Sequence, residues 1–595
     1  MAPAACLAGP AMSLQWRRRP LLGTPVGWSD AVHPVLRNVY AARGVLTPAD
    51  AEHRLQRLLR PDGLGGLEAA VALLAEAIRT DAAIVVAGDY DCDGATGTAL
   101  AVRGLRMLGA RRVDYAIPNR FLHGYGLSAA LVDTLQPAPQ LIVTVDNGVA
   151  SVEGVAAARA RGIRVIVTDH HLPGERLPAA DAIVNPNLPG DGFPSKHLAG
   201  VGVMFYLLLA LRAQLFPQGE SAGRAARETD PADRTPPGGR PDLSALLDLV
   251  ALGTVADLVP LDFNNRVLVE AGLRRIRAGR ACPGIGALLE LSRREPALLS
   301  AADLGFAVAP RINAAGRLQD MRLGVACLLA EDAATARRHA ERLDAINQER
   351  RALQASMVEE ARVRVSADDL AGDAVGVALY ERSWHAGVVG LVASQLKERL
   401  HRPVIAFAPV DGGETSELRG SGRSIAGFHL RDALALIDAR QPGLIVRFGG
   451  HAMAAGLTLR REDFPRFAHA FDAVARERLP EEALHAVLHT DGELPPGAFG
   501  VDLARQLQAG GPWGQGFPEP LFDNVFDCRR WRLLGDRHWQ LELHDPRDGV
   551  RYDAVLFNPQ EAEPPPRLRA AYELVLDTWQ GRERLRLRLR HIAPA

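Results

Sequence analysis

Residues 83–94, AIVVAGDYDCDG, join a short apolar run to three aspartates, Asp89, Asp91 and Asp93. A short apolar run that ends in alternating acids is typical of a buried strand that delivers carboxylates to one edge of a sheet. Because three carboxylates this close together repel one another, the arrangement indicates that cations lie among them. Oxygen ligands of this kind suit Mg²⁺ or Mn²⁺. The stretch therefore predicts metal-dependent chemistry, with phosphate as the favoured substrate group.

The same pattern, an apolar run with an acid at its end, occurs twice more, and helix-like segments separate the runs. Strands that alternate with helices predict a doubly wound, mostly parallel sheet, which binds ligands outside the carboxyl ends of its strands. One such acid could simply cap a helix or occupy a turn, whereas three successive strand ends favour a shared site. The two runs are LIVTVDNG (141–148), which contains Asp146, and RVIVTDHH (164–171), which ends in Asp169, His170 and His171.

A fourth candidate ligand, Asp257, lies in GTVADLVPL (253–261). The apolar residues 246–256 before it have the composition of a buried helix. Taken alone, Asp257 could equally cap that helix or face solvent.

The motifs DYDCDG, VDNG, TDHH and GTVADLVPL, in this order and spacing, resemble the motifs of the DHH phosphoesterase superfamily. Longer segments resemble one family within it, the RecJ exonucleases, which degrade single-stranded DNA from the 5′ end. The DHH motifs indicate only the superfamily, and the longer segments are more specific. These segments are PNRFLHGYGLS (118–128), AIVNPN (182–187), LAGVGVMF (198–205), RINAAGRL (311–318), SWHAGVVGLVASQL (383–396), GSGRS (420–424) and GGHAMAAG (449–456).

The resemblance implies hydrolysis of phosphodiesters with two divalent cations, Mn²⁺ or Mg²⁺, of which one activates water and the other stabilises the leaving oxygen. Imidazole among the ligands slightly favours Mn²⁺. By the motifs, Asp146 bridges the ions, Asp91 binds one, and Asp93, His170 and Asp257 bind the other. Asp89 is either a further ligand or a residue that orients one. Asp169 orients His170, and His171 contacts the scissile phosphate or the leaving group.

The resemblance also implies a path for the substrate. It places Arg311, Asn313 and Arg317 along this path and the 5′ end near Ser421, Arg423 and Ser424, with Arg120 and His385 as further candidates. Two glycine-rich stretches, RGSGRS (419–424) and GGHAMAAG (449–456), suit an anion because glycine lets backbone N–H groups approach it. Such stretches can also be simple turns, and His451 beside Gly450 could be a packed histidine.

The predicted fold is α/β, with a doubly wound parallel sheet, a long linking helix, a second α/β domain and a C-terminal β-barrel of the oligonucleotide-binding (OB) type. In the closing run RERLRLRLR (582–590), alternation predicts a strand with buried leucines and a row of arginines on the other face. That row could bind DNA, or it could merely be solvated. The predicted domains are an N-terminal lead-in (1–80), a DHH phosphoesterase domain (81–330) with a disordered insertion (216–242), the linking helix (331–371), a DHH-associated domain (372–480) and the OB domain (481–595).

Composition narrows the class of protein further. The net charge is −1 and the 5 cysteines form no CxxC pair, which argues against a basic nucleic-acid coat, a disulfide framework or a zinc knuckle and fits a reducing cytoplasm. No apolar run approaches the ~18 residues of a membrane helix. Met12 is an alternative start to Met1. We expect a monomer.

The sequence leaves two other functions open. One is a DHH phosphodiesterase that acts on short oligonucleotides or cyclic dinucleotides, which the C-terminal β domain disfavours. The other is a non-catalytic DNA-binding scaffold, which the complete set of candidate ligands disfavours. Single-stranded DNA is the expected partner, and the resemblance adds a helicase and a single-strand-binding protein.

Overall fold

The computed structural model of the chain describes residues 14–119, 123–217, 239–367, 374–410, 416–535, 537–559, 561–579 and 582–595. Arg120 and most of the predicted insertion, residues 218–238, lie outside them. The chain forms two compact units, which we call the large unit (residues 19–347 and 490–595) and the small unit (residues 14–18 and 348–489 of the described chain). The division falls within one long helix, Ala333–Ala367, close to the predicted linking helix.

The large unit begins with the lead-in and a five-stranded sheet in the order β3-β2-β4-β5-β6, in which every pair of neighbours is parallel. Its strands are β2 (Ile84–Ala87), β3 (Val113–Ala116), β4 (Leu141–Val145), β5 (Arg164–Thr168) and β6 (Ala182–Val184). Its helices are α1 (Pro34–Ala41), α2 (Leu67–Arg79), α3 (Cys92–Met107), α4 (Ala129–Thr134), α5 (Val152–Ala160), α6 (Gly200–Leu215), α7 (Leu247–Ala256), α8 (Phe263–Arg277), α9 (Pro283–Leu291), α10 (Ala301–Asp303), α11 (Ala309–Leu318), α12 (Arg322–Leu329) and the start of α13 (Ala333–Ala367).

Helices cover both faces of this sheet, as predicted for a doubly wound fold. Along β4, Val143 belongs to the core shared with α3 and α6, whereas its neighbour Ile142 belongs to the core shared with α4 and α5. Successive strand residues point to opposite faces, so the continuous apolar run LIVTV is buried on both sides. A run without polar alternation is what a parallel sheet covered by helices requires.

The C-terminal part of the large unit is a closed five-stranded barrel in the order β13-β14-β15-β17-β16, as the OB-type prediction requires. Its strands are β13 (Phe522–Leu534), β14 (His538–His544), β15 (Arg551–Phe557), β16 (Arg567–Trp579) and β17 (Arg582–Pro594), and α17 (Val501–Ala509) precedes them. The leucines of the RERLRLRLR run turn inward as expected, with Leu587 and Leu589 buried. The arginine row, however, is largely neutralised, because Arg586 pairs with Asp577 and both Arg588 and Arg590 pair with Glu573.

The small unit contains a second α/β sheet in the order β10-β11-β9-β8-β7, with β7 and β8 parallel and the other pairs antiparallel. Phe407, Phe467 and Phe471 form the centre of its core. Its elements are β7 (Val377–Tyr380), α14 (Val389–Leu400), β8 (Val404–Pro409), β9 (Glu417–Arg423), α15 (Leu430–Arg440), β10 (Arg447–Gly450), β11 (Ala454–Arg460) and α16 (Phe464–Arg478), and β1 (Gln15–Arg18) pairs with β12 (Val487–Thr490). Within the described ranges, no helix is both long and apolar enough to cross a membrane.

A buried ion pair joins the lead-in to the segment that enters the barrel. The Arg43 guanidinium donates to both oxygens of Asp491 at 2.7 and 3.0 Å, and the two side chains are only 1% and 2% exposed. We expect Arg43→Met to lower the free energy of unfolding of the large unit by about 3–5 kcal/mol, because it leaves a carboxylate without its main partner in a dry site. Denaturant titration measures this loss. Arg54→Met, which removes an exposed pair with Glu52, should cost under about 1 kcal/mol, and equal losses would contradict the assignment.

Candidate metal centre

The acids of the predicted motifs gather at the carboxyl edge of the parallel sheet. Asp146 directly follows β4, Asp169 directly follows β5, and Asp89 follows β2 after one intervening residue. Since β2, β4 and β5 are adjacent and parallel, their ends bring the three carboxylates to one edge. All three residues are at most 3% exposed. The structure therefore concentrates negative charge in a nearly dry place.

Two helix N-termini hold the remaining acids of the first motif. Asp91 caps α3 by accepting the N–H of Gly94 at 3.0 Å. Asp93, in the first turn of α3, accepts the N–H groups of Gly200 and Val201 at 2.6 and 3.1 Å, at the start of α6. A helix N-terminus stabilises a carboxylate through these N–H groups and its dipole.

Gly200 is needed for close approach. A Cβ atom there would lie 2.5 Å from the Cβ of Asp146, far inside van der Waals contact. The glycine therefore lets the start of α6 touch the Asp146 turn while it binds Asp93. This is how the motif LAGVGVMF contributes to the centre without supplying a ligand.

Asp146 itself has a backbone conformation that is uncommon for residues other than glycine. Its φ is +63°, in the left-handed region, and such strain persists only where the surroundings enforce it. Asn147 enforces it by donating its side-chain N–H to the carbonyls of Ala87 and Val145, at 3.0 and 2.9 Å, and by accepting the N–H of Leu127 at 3.1 Å. The VDNG motif thus turns the chain sharply enough to aim Asp146 into the acid cluster.

The two histidines contact different carboxylates. His170 Nε2 lies 3.0 Å from an oxygen of Asp146 and 3.5 Å from one of Asp257. His171 Nδ1 lies 2.8 Å from Asp169. The sequence prediction paired Asp169 with His170, whereas the structure places the Asp169 carboxylate on the backbone N–H of His170 and on the ring of His171. The reason is local: the same Asp169 oxygen accepts the N–H groups of both histidines, which brings the nearer ring, His171, over it.

The Asp169–His171 bond sets the protonation of both partners. Burial alone lowers the pKa of a histidine and raises that of an aspartate. For His171 the hydrogen bond and the charge of Asp169 outweigh burial and raise its pKa to about 9. The same bond holds the pKa of Asp169 below its usual value despite burial. The bond to Asp169 therefore favours the protonated form of the His171 ring and leaves its other nitrogen for a further partner.

The cluster carboxylates have the electrostatics of a cation site. Burial raises the pKa of Asp93 to about 7, and the neighbouring Asp91 adds to the shift. Burial and the neighbouring acids also raise the pKa of Asp146 and Asp257 well above the usual range. Carboxylates that repel one another in a dry pocket gain most from a divalent cation, and a mixed set of carboxylate and imidazole ligands suits Mn²⁺ and Mg²⁺. The residues present thus fit the predicted metals.

Among the residues that the structure describes, three overlapping groups of side chains have ligand atoms within 4.8 Å of one another, close enough to hold a metal ion. Asp146 and His170 each belong to two of them. The groups are Asp89 with Asp91 and Asp146, Asp93 with His170 and Asp257, and Asp146 with His170 and His171.

Asp257 joins the cluster because α7 packs tightly on α3. A Cβ atom at Gly253 would lie 2.7 Å from an oxygen of Asp93 and 2.3 Å from the hydroxyl of Thr96. Asp257 then follows as the C-terminal cap of α7. The sequence left open whether Asp257 only caps a helix, and the structure shows that it both caps α7 and lies against His170.

The helix α11, which contains the motif RINAAGRL, supports the first acid turn. The side-chain oxygen of Asn313 accepts the N–H of Cys92 at 2.8 Å. A Cβ atom at Gly316 would lie 1.9 Å from the Tyr90 carbonyl, so the helix rests directly on this turn. Arg317 lies four residues after Asn313, on the same helical face. Arg311 is instead held by Asp344 at 2.8 Å.

We expect Asn313→Ala to act through this turn. It leaves the Cys92 N–H without its acceptor, so the free energy of unfolding should fall by about 1–3 kcal/mol and Mn²⁺ should bind more weakly. Thermal denaturation and Mn²⁺ titration measure the two effects. Asn524→Ala is a matched control, because it removes a similar side-chain acceptor of a buried backbone N–H, that of Leu494, in the barrel and away from the metal centre. If Mn²⁺ affinity were unchanged in Asn313→Ala, a supporting role for Asn313 would be contradicted.

The small unit places its candidate residues around the start of α14. Ser421 and Arg423 lie on β9, where Arg423 donates to the Ser421 hydroxyl at 3.1 Å. A Cβ atom at Gly390 would lie 2.8 Å from that hydroxyl and 3.1 Å from Arg423. His385 precedes α14 and accepts the N–H of Gly387 at 3.0 Å.

Not every predicted residue of the small unit presents its side chain there. Ser424 is buried, and its hydroxyl donates to the Phe428 carbonyl at 2.7 Å. Gly450 is the last residue of β10, and His451 follows it in the turn to β11, where its N–H donates to the Ala454 carbonyl at 2.8 Å. Burial has lowered the pKa of Arg423. Within the described residues, no carboxylate lies within ion-pair distance of Arg423.

One residue at the metal centre was missed by sequence reasoning. Tyr125 places its hydroxyl 3.4 Å from the Asp146 carbonyl and its ring against those of Tyr90 and His171. The available signal was its position between two glycines in HGYGLS, both with positive φ. A bulky residue between two such glycines indicates a turn shaped to present it.

Three family models match the chain in succession. They are the DHH family N-terminal domain (residues 83–254), the DHHA1 domain (372–477) and the RecJ OB domain (490–591). Together they cover the parallel sheet, the small-unit sheet and the barrel.

Curated relatives and solved structures extend this similarity to nearly the whole chain. The Single-stranded-DNA-specific exonuclease RecJ of Dickeya dadantii is 48% identical over 98% of this chain and 99% of the relative, and that of Escherichia coli is 48% identical over 94% and 96%. The crystal structure of RecJ from Thermus thermophilus in complex with Mn²⁺ is 31% identical, with a TM-score of 0.79 over 98% of this chain and 80% of the other. The structure of the same protein with Mg²⁺ has a TM-score of 0.73 over 98% and 79%, at 30% identity. On this identity and coverage, the chain belongs to the RecJ family.

Proposed function

We propose that this protein is a metal-dependent exonuclease that degrades single-stranded DNA from the 5′ end and releases 5′-mononucleotides. The observation that carries the proposal is the complete acid and histidine cluster at the carboxyl edge of the sheet, in a chain 48% identical to relatives named single-stranded-DNA-specific exonucleases. A buried set of mutually repelling carboxylates has no structural use that an apolar core would not serve better.

The geometry supports specific roles for the ligands. Asp89, Asp91 and Asp146 would hold one divalent ion, and Asp93, His170 and Asp257 the other. Asp146 is the bridging candidate, because it belongs to the first group and also lies 3.0 Å from His170 of the second. Two bound ions supply a water-derived nucleophile and neutralise the charge that develops on the leaving oxygen.

The protein side chains supply the rest of the chemistry. Asp169 keeps the proton on Nδ1 of His171, so the charged ring can donate from Nε2 to a phosphate oxygen or to the leaving group. The N–H groups of Gly200 and Val201 hold Asp93 in place. Asn313 holds the turn between Asp91 and Asp93. These residues fix the ligands before the substrate arrives, and such preorganisation is where much of the catalytic effect arises.

The small unit would bind the 5′ end through Ser421 and Arg423. Arg423 is a half-buried cation that donates to the Ser421 hydroxyl and to the Gly422 carbonyl, and the start of α14 adds backbone N–H groups beside it. A cation without a carboxylate partner at a helix N-terminus suits a phosphate. Gly450, His451, His385, Arg317 and Arg120 remain candidate substrate contacts.

Arg423→Ala should weaken binding of DNA that carries a 5′ phosphate. A charge-assisted bond contributes about 1.5–3 kcal/mol, so we expect KM to rise about 10- to 100-fold with little change in kcat. A 5′-hydroxyl substrate should respond much less. Arg460→Ala, which removes an exposed arginine of the same sheet, is the control. Equal effects on both substrates would exclude a 5′-phosphate contact by Arg423.

Digestion of long DNA labelled at either end tests the whole proposal. Single-stranded DNA should release labelled mononucleotide at once from the 5′ end and only late from the 3′ end, and matched duplex should be resistant. Cleavage confined to dinucleotides or cyclic dinucleotides would favour the short-substrate phosphodiesterase. Binding without cleavage, in the presence of Mn²⁺ or Mg²⁺, would favour the scaffold.

We also propose the domain boundaries predicted from the sequence, which the three family models support within their matched ranges. A helicase and a single-strand-binding protein as partners, a monomeric state and a cytoplasmic location belong to the same proposal. They rest on the family resemblance and on 5 scattered cysteines that form no CxxC pair in the sequence. Measurement of the mass in solution tests whether the protein is a monomer.

A further inference from the structure

The ring of Tyr125 is held in place by its neighbours and is also exposed. Three contacts fix it, at the Asp146 carbonyl (3.4 Å), the Tyr90 ring (5.9 Å between centroids) and the His171 ring (6.1 Å). It is nevertheless 48% exposed. Both neighbouring rings meet it nearly at right angles, at 80° and 87°, so these neighbours do not stack parallel to its face.

The loop around Tyr125 is built onto the turn that carries Asp146. Gly124 and Gly126 have φ values of +78° and +65°, which side chains rarely adopt. A Cβ atom at Gly126 would lie 3.3 Å from Asn147, and the next residue, Leu127, donates its N–H to Asn147 at 3.1 Å. The position of Tyr125 is therefore coupled to that of a metal-ligand candidate, although the tyrosine itself offers no carboxylate or imidazole.

Other exposed apolar side chains border the same site. Leu172 directly follows His171 and is 65% exposed, and Leu258 directly follows Asp257 and is 67% exposed. Single exposed apolar residues are ordinary on a protein surface. Here, however, they flank ligands of a site for a charged phosphate, which does not need them. A nucleobase, which is flat, apolar on its faces and attached within one nucleotide of that phosphate, does.

We propose that Tyr125 stacks on an unpaired base of the nucleotide next to the scissile phosphate, and that this contact favours single-stranded over duplex DNA. The inference rests on the proposed nuclease function. The metal centre contacts a phosphate, which is the same in both forms of DNA. A base can turn onto a side-chain ring only if it is not paired, so an aromatic ring beside the metals distinguishes the two forms.

Substrates that lack bases test this contact directly. Two labelled oligonucleotides are compared in single-turnover reactions, one normal and one abasic at the two nucleotides that flank the first scissile phosphate. The wild-type protein should cleave the normal strand about 5- to 100-fold more efficiently, the range that measured base–aromatic stacking implies. Tyr125→Leu should lose this advantage by slower cleavage of the normal strand, with the abasic strand unaffected. Tyr125→Phe keeps the ring and should behave like wild type.

Other outcomes overturn the inference. Equal slowing of both strands by Tyr125→Leu, or weaker Mn²⁺ binding by that variant, would mean that Tyr125 acts by positioning His171 or Asp146. No slowing of either strand would mean that it does not contact the substrate. If Tyr125→Leu does not fold, Tyr125→Trp replaces it and should increase the advantage of the normal strand, and an unchanged or smaller ratio contradicts the proposal. Failure of the wild-type protein to cleave the normal strand would instead overturn the nuclease function.

Discussion

Replacing Asp146 with asparagine is expected to lower kcat for hydrolysis of single-stranded DNA by at least about 10³-fold, since bound metals supply several kcal/mol of charge stabilisation. The asparagine keeps the shape of the side chain but removes the charge that the proposed bridging position requires. Binding of DNA should persist, because the candidate 5′-end residues belong to the small unit. The measurements are steady-state rates with Mn²⁺ and DNA affinity without metal.

Two comparisons make the Asp146 result specific. Asp114→Asn, which changes an exposed aspartate on the edge strand β3 of the same sheet, should leave the rate unchanged. The metal-free Asp146→Asn protein should also be at least as stable to heat as the metal-free wild type, because it removes one of several mutually repelling buried carboxylates. A variant that kept normal activity would remove Asp146 from the metal centre.

Removal of divalent cations by a chelator is expected to abolish hydrolysis without unfolding the protein. The two units keep their apolar cores, whereas the carboxylate cluster loses the charges that balance it. Mn²⁺ should restore more activity than Mg²⁺ at equal concentration, because imidazole from His170 is a poor ligand for Mg²⁺. Hydrolysis that survives exhaustive chelation would contradict metal catalysis.

Thermal denaturation gives a readout of metal binding that does not depend on catalysis. A ligand at 100 times its Kd stabilises the folded state by about 2.7 kcal/mol per site, so saturating Mn²⁺ should raise the melting temperature of the wild type. Asp257→Asn should reduce this rise, whereas Asp242→Asn, which changes an exposed carboxylate that caps a short turn, should not. If the rise is the same in both variants, Asp257 is not a ligand.

Sequence reasoning was most successful where the signal is local. A strand buried on both faces must be a continuous apolar run, and the parallel connection of such strands places their final residues at one edge. The runs ending at Ala87, Val145 and Thr168 therefore predicted both the sheet and the gathering of Asp89, Asp146 and Asp169. The neighbours of Asp257 in the sequence did not decide whether it is a metal ligand or only a helix cap, because its position depends on the close packing of α7 on α3 at Gly253.

The arginine strand shows where a local pattern stops being sufficient. Alternation in RERLRLRLR correctly predicted that Leu587 and Leu589 are buried. It did not reveal that Glu573 lies directly opposite Arg588 across the sheet and also bonds Arg590. A cation that faces an acid on the next strand has much of its charge balanced, and the identity of that partner follows from the register between two strands, not from either strand alone.

The sequence by itself determined the parallel sheet, the strand ends that carry acids, the barrel and the family, because periodicity and motif spacing are properties of contiguous residues. The tertiary structure alone decided which groups meet. It places Asp169 against the ring of His171 and the N–H groups at the start of α6 against Asp93. It also places Asn313 against the turn that contains Cys92, and Tyr125, exposed, beside Asp146. These pairings join residues that are up to about 220 positions apart. Contacts over such distances arise from the packing of helices on the sheet, which no local pattern encodes.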